Sequence, residues 1–365
     1  NQQADMALAS NKLFTLVVVL AIYWTATFIS LKGLDWVGKI SKWGGIIGTI
    51  IPAGLLIVLG VIYLVTGGHN NMDMSAGFFP DLKKFDNLVL ASSIFLFYAG
   101  MEMMGIHVMD VNNPKRNYPK AIIIGSLITV AIFILGTFSL GFIIPAKEVS
   151  LTQSLLIGFD RYFDYLHMSW ASPLIAIALM FGVLAGVLTW VAGPSKGIFT
   201  VGKAGYLPPF FQKSNKNGVQ RNILLVQGGI VTLLSLLFVV MPSVQSFYQI
   251  LSQMTTSLYL IMYMMLFAAA IVLRYRMRDS DRPFRLGGNF TMWIIAGLGF
   301  CGSLLAFILS FIPPAQISTG DPKTWVTILI VGCIIVVVVP FIIYAMRKPS
   351  WKSSGAEFAP FHWEK

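Results

Sequence analysis

The sequence predicts an all-α, polytopic helical membrane protein. Hydrophobic residues make up 56% of the chain and charged residues 11%, where a soluble domain carries about 25% charge. Mean hydropathy is +0.76. Nine stretches approach the roughly 20 apolar residues that a span requires: Leu13–Leu31, Gly44–Thr66, Leu88–Met109, Ala121–Ile144, Ser169–Gly193, Ile223–Met241, Val244–Leu273, Phe290–Ile312 and Trp325–Met346. Runs of this length and uniform hydrophobicity do not fit the alternating short strands of a membrane barrel.

The net charge of +11 would suit nucleic acid, but its distribution argues against that partner. Of the 26 Lys and Arg, 20 fall in alternate segments: Lys32–Lys42, 110–120, 196–221, 274–285 and the tail from Arg347. That pattern is the positive-inside rule, and it predicts a cytoplasmic C-terminus. Nine spans then leave the N-terminus outside. The chain starts at Asn1, with no basic region or cleavage site before Leu13, so no signal peptide is expected. The expectation is an N-terminally truncated piece of a longer protein with an odd number of spans upstream. Cys301 and Cys333 lie in apolar spans and are expected to be inert core residues.

In chain order, Trp24 and Thr25 in the first span decide nothing chemically. The second span opens on Lys39–Trp43, a basic and aromatic anchor, and carries Gly44-xxx-Gly48, Pro52, Gly54 and Gly60. Small residues at that spacing predict close helix contact. His69, Asn70, Asn71 and Asp73 in the next loop are too few for a metal site, and neither metal nor cofactor is expected.

The stretch from Asn87 to Lys120 is the most informative. Its apolar run breaks at Tyr98-Ala-Gly-Met-Glu102, and Glu102 is a carboxylate well inside an apolar segment. An ionisable group at membrane depth is a functional candidate by default; the competing reading is a protonated glutamic acid bonded between helices. Gly100 and Gly105 flank it and permit the helix to unwind or a neighbour to approach. Asn113-Pro114 and Tyr118-Pro119 then predict a turn.

Ser150–Gln153 has the form of a capping box before an amphipathic, aromatic-rich helix that suits a membrane interface. The fifth span ends Trp190-Val-Ala-Gly-Pro-Ser-Lys-Gly197. From the residues alone, Trp190 suits a cavity wall and a packed core equally. Gly193–Gly197 fits the G-x-S-x-G nucleophile pattern, but no strand precedes it and the only later histidine is His362; a serine hydrolase needs a base. Gly297–Gly302 fits G-x-G-x-x-G inside an apolar helix, where it reads as helix packing and not as a dinucleotide site. No enzyme is expected. In the seventh span Gln249, Ser252, Thr256, Tyr259 and Tyr263 step by three or four and share a face. Such a face bonds to other helices or lines an aqueous cavity.

The ordered set of motifs carries a family resemblance. Tyr98–Glu102, His107 and Asn112-Asn-Pro-Lys-Arg-Asn-Tyr-Pro119 resemble the sixth span and following loop of amino acid–polyamine–organocation (APC) transporters. Trp190–Gly197, Leu207-Pro208, Asn215–Val219 and Arg282-Pro-Phe284 resemble the bacterial glutamate/GABA antiporter branch. The similarity runs over nearly the whole chain.

That resemblance implies a twelve-span, LeuT-like inverted-repeat transporter fold, of which this chain holds spans four to twelve. Residues 1–67 would be the remnant of the first repeat, 87–274 the second repeat, 290–346 the last two spans and 347–365 a cytoplasmic tail. In such folds the substrate sits where the first and sixth spans unwind. The resemblance places Tyr98, Gly100 and Glu102 at that break, Trp190 on the eighth span, and Tyr259 and Tyr263 on the tenth. It implies a secondary active antiporter of the bacterial inner membrane that exchanges an amino acid for its decarboxylated product by alternating access. Protonation of Glu102 would couple exchange to acid pH. Two departures bear on pH control. Gly186 stands where the family's antiporters carry an acid, four positions before the tryptophan, and the tail is shorter than the family's inner plug. The alternatives are a permease for another amino acid or a polyamine, and a transport-inactive membrane fragment. The partners implied are a small amino acid and the lipid bilayer; oligomeric state is not readable.

Overall fold

A computed structural model describes residues 8, 11–72, 81, 83–94, 98–150, 153–236, 239, 244–280, 282, 284–313 and 321–353. Its α-helices are α1 (Lys12–Leu31), α2 (Leu34–Gly45), α3 (Ile51–Val65), α4 (Phe85–Ile94), α5 (Pro114–Ile143), α6 (Ser154–Tyr165), α7 (Ser172–Val201), α8 (Arg221–Ser235), α9 (Val244–Arg276), α10 (Asn289–Ser310) and α11 (Pro322–Ala345). Among the described residues there is no strand. Among the described residues seven helical stretches are long and apolar enough to cross a membrane, and they fall on seven of the nine predicted spans. The stretch predicted at Ile223–Met241 contains α8, with 237–238 and 240–243 outside the described residues. The stretch predicted at Leu88–Met109 is α4 followed by a 3-10 helix, Met101–Asp110, with 95–97 outside the described residues.

Three boundaries differ from expectation, each for a local reason. The basic segment Lys32–Lys42 is not a loop. The chain turns at Gly33 (φ 119°) and α2 starts at Leu34, with Asp35 in its first turn, where a carboxylate suits the positive helix end. The predicted turn at Tyr118-Pro119 lies inside α5, and the chain turns earlier, at Asn113 (φ 48°). Pro119 is the sixth residue of α5 and removes the N–H that would reach the Lys115 carbonyl, yet the helix continues through it. The helix predicted to exit at Gly193-Pro194 instead runs through Pro194 to Val201.

The chain forms two compact units: Asn1–Ser75, Leu127–Val239 and Ile343–Lys365 in one, Ala76–Ser126 and Val240–Ile342 in the other. In the first, α1 starts on Asn11, whose Oδ1 accepts the Leu13 and Phe14 N–H groups at 3.0 and 3.1 Å. A π-helical turn, Ile46–Ile50, joins α2 to α3. Beside it the predicted glycine contact is present. A Cβ on Gly48 would stand 2.2 Å from the Gly182 nitrogen on α7, and one on Gly44 would stand 2.2 Å from the Ala185 Cβ. Two cores flank that seam. One gathers Leu56, Leu59, Phe159, Tyr162 and Phe163; the other gathers Ala26, Leu188, Val191 and Leu224.

The α6 helix buries Phe159, Tyr162 and Phe163 as an amphipathic helix should. Its start differs from the capping box: Ser154 Oγ accepts the Ser150 N–H at 2.8 Å, and Gln153 makes no side-chain cap. Burial, then neighbouring Tyr63, pushes the Tyr162 phenol upward; its O–H donates to the Ser139 carbonyl. In the second unit α9 packs on α10, and Ile250, Trp325 and Leu329 form the core against α11. Cys301 is exposed, Cys333 is buried, and both are free thiols.

Candidate functional site

The second unit holds the break that the sequence marks. After α4 the chain reaches Gly100 in a left-handed conformation (φ 114°, ψ −12°), and the 3-10 helix starts at Met101. A left-handed residue suits glycine, which lacks the Cβ that would clash. A helix start leaves its first N–H groups without carbonyl partners, and Glu102 sits in that first turn.

Glu102 turns back on the break. Its Oε2 accepts the Gly100 N–H at 3.0 Å and the Tyr263 O–H at 2.7 Å. The Gly100 N–H also reaches the Tyr263 hydroxyl oxygen at 3.3 Å. Three groups thus share one hydrogen-bonded triangle, with Tyr263 supplied by α9. The other carboxyl oxygen, Oε1, is buried and has no hydrogen-bond partner among the described residues. A buried acceptor left unsatisfied costs about 1–3 kcal/mol. No Lys or Arg among the described residues forms an ion pair with Glu102. One oxygen is therefore committed to the protein, while the other is set to accept a donor.

Aromatic rings extend from this triangle along α9. The Tyr259 and Tyr263 centroids are 6.0 Å apart, and Tyr263 and Phe267 follow at 6.4 Å. Phe267 is held by α10, because a Cβ on Gly299 would stand 2.4 Å from the Phe267 ring. The G-x-G-x-x-G pattern here is a seat for a phenylalanine, as the packing reading expects. On α9 Thr256 and Ser257 are buried, while Gln249 and Ser252 are half-buried. Thr256 bonds to the Ser252 carbonyl, and the Ser257 and Ser310 hydroxyls share a bond of 2.9 Å. Threonine and serine bonding to their own helix is how such groups satisfy themselves in apolar surroundings.

Of the predicted site residues, Gly100, Glu102 and Tyr263 are in direct contact, and Tyr259 stands beside Tyr263. Tyr98 precedes the break and is 40% exposed. Trp190 lies in the first unit, on α7, and is 45% exposed, so it is not a packed core side chain. Gly186, four residues before it, has nothing within 4 Å of an added Cβ. Two contacts near the break were not read from the sequence. An added Cβ on Gly105 would lie 3.5 Å from the Tyr118 hydroxyl, and one on Gly125 would lie 3.8 Å from the Met101 sulfur. The spacing of Tyr118 from Gly105 is not a helical repeat, so no periodicity signals that contact.

Ser195, in the serine-hydrolase-like pattern, is fully buried. Its hydroxyl donates to the Ala192 carbonyl at 2.8 Å and accepts Gln220 Nε2 at 2.8 Å. It is a structural hydroxyl, and among the described residues its partners are Ala192 and Gln220 and no histidine.

Known proteins are similar to this chain over most of its length. The family described as amino acid permease matches residues 2–353. An uncharacterized transporter of Legionella pneumophila is 33% identical over 92% of this chain and 72% of its own length. A glutamate/gamma-aminobutyrate antiporter of Lactococcus lactis is 33% identical over 93% of this chain and 69% of its own. A probable agmatine/putrescine antiporter of Lactococcus lactis is 26% identical over 76% and 59%.

Proposed function

Because this chain belongs to the amino acid permease family, and so is a membrane transporter and not an enzyme, we propose that it exchanges glutamate for γ-aminobutyrate by alternating access. The similarity to glutamate/gamma-aminobutyrate antiporters supports the substrate pair. The observation that carries the reading is Glu102 at the helix break, with one oxygen held by Gly100 and Tyr263 and the other open. Both substrates carry an ammonium group, a charge-assisted donor that suits such an acceptor. Protonation of Glu102 would remove the negative charge that favours an ammonium partner, which in this reading couples release to acid pH. In this reading 87–274 is the second inverted repeat, Tyr98, Trp190 and Tyr259 border the substrate path, and the C-terminus faces the cytoplasm of a bacterial cell.

Glu102→Gln tests it. In proteoliposomes loaded with γ-aminobutyrate, uptake of labelled glutamate should lose most of its dependence on external pH. A variant with an unchanged pH profile removes Glu102 from the coupling. A second reading rests on the agmatine/putrescine relative together with a carboxylate as the central polar group: the substrate would be a polyamine. Strong competition by unlabelled putrescine, with none by γ-aminobutyrate, selects that reading.

A further inference from the structure

Past the end of α11, the chain folds back onto the segment that follows α7. The Ser353 N–H donates to the Lys203 carbonyl at 3.2 Å. Gln212 Nε2 donates to the carbonyls of Leu207 at 2.9 Å and Trp351 at 2.6 Å. Gly205 makes the approach possible: with φ +99°, an added Cβ would press the Lys352 backbone at 3.3 Å. The two segments border an open cavity of about 610 Å³. Arg347, Lys348 and Lys352 line it, together with Tyr206 and Ala345, and among the described residues no carboxylate does.

One wall is built, not merely exposed. The Arg347 guanidinium lies 3.7 Å from the Tyr344 ring centroid, and its Nη1 donates to the Tyr344 carbonyl at 3.0 Å. The Tyr344 ring in turn stacks on Tyr206, centroids 5.9 Å apart and planes at 14°. Cation, ring and ring form one column, which orients the guanidinium at low entropic cost. Both helices that end here are long and apolar enough to cross a membrane, so the cavity lies where lipid headgroups and aromatic belts lie. Val201 and Met346, its neighbours in the chain, are exposed apolar side chains suited to acyl groups. A positive-inside bias needs only scattered cations. Three cations around one cavity, with no acid among its described lining residues, call for an anion as well.

We propose that this cavity binds the phosphate of an anionic phospholipid headgroup. Arg347 offers paired N–H donors to the phosphate oxygens, and Lys348 and Lys352 add charge. Its level at the bilayer boundary selects lipid phosphate over free phosphate.

Native mass spectrometry of the full purified chain with added lipid tests the assignment. Phosphatidylglycerol should be retained in preference to phosphatidylcholine. Arg347→Gln with Lys352→Gln should weaken retention by about 25-fold, about fivefold for each cation removed. The charge-preserving pair Arg347→Lys with Lys352→Arg should hold the lipid and so separates charge from folding. Equal retention of the two lipids overturns the proposal, as does undiminished phosphatidylglycerol on the neutralised variant or its loss from the charge-preserving one. Displacement of phosphatidylglycerol by millimolar inorganic phosphate overturns the lipid assignment. The readout is binding, so it stands or falls apart from glutamate exchange.

Discussion

Two pairs of glycines, Gly44 with Gly48 and Gly100 with Gly105, lie at near-identical spacing in apolar sequence and do opposite things. The first pair keeps its helix: the backbone passes through a π-turn and continues, and the missing side chains let α2 and α7 meet at backbone distance. The second pair accompanies a broken helix: Gly100 is left-handed, and its N–H is taken by a carboxylate and a phenol. What separates them is the partner. Where the neighbouring helix also presents Gly182 and Ala185, dispersion contact rewards regular helix. Where a carboxylate stands two residues on, the freed N–H finds an acceptor in its own chain. Glycine spacing permits either outcome, and the neighbouring chemistry selects one.

The largest expected effect breaks the first half of the comparison. Gly48→Ala puts a methyl group 2.2 Å from the Gly182 nitrogen, and overpacking against backbone should cost about 3 kcal/mol. Gly54→Ala, with nothing within 4 Å, serves as the control; equal melting temperatures for the two variants in detergent would dissolve the distinction. Next comes Tyr263→Phe, which removes one of two donors to Glu102 Oε2. A hydrogen bond to a charged group is worth about 1.5–3 kcal/mol, so exchange should fall about 10- to 100-fold; a normal rate would show that the triangle is idle. Gly100→Ala forces a Cβ into the left-handed region, at about 1–2 kcal/mol. If hydrogen exchange of the 98–110 amides does not quicken, the break is not held by Gly100.

The smallest effect sharpens the role of the carboxylate. Asp321 caps α11, its Oδ2 accepting the Thr324 N–H and O–H, each at 2.9 Å. The backbone N–H of Thr324, then its hydroxyl, holds this carboxyl below the usual carboxylate range. Because the folded value is the lower one, the contribution is present above about pH 4 and fades as pH falls through the folded value. Asp321→Ala should therefore melt slightly earlier than the parent at pH 6, and the gap should narrow as pH falls below about 4. A gap that does not narrow would mean the cap does not act through charge.

The class, seven of the spans and the break at Tyr98–Glu102 are legible in the sequence, because hydropathy over 20 residues and a lone carboxylate are strong signals. The shared face of Tyr259 and Tyr263 is legible from periodicity. The triangle is not, since one of its members is a backbone N–H whose direction depends on the φ of Gly100. The start of α2 at Leu34, the passage of α5 through Pro119 and the end of α7 at Val201 are not read from residue type, because in apolar surroundings the backbone keeps its helical bonds past a lone proline or charge. The fold of the tail onto 202–212 joins segments far apart in the chain, and no local pattern marks it.

Pro194 inside α7 has a mechanical meaning. It has no N–H, so the rung that would reach back to the Trp190 carbonyl is missing from the ladder. A column lacking one rung is less stiff there and flexes at that joint first. The adjoining hydroxyl of Ser195, fastened by Gln220 from the start of α8, acts as a splint across the joint. The long helix that carries Trp190 is thus a lever with its fulcrum one turn beyond that ring.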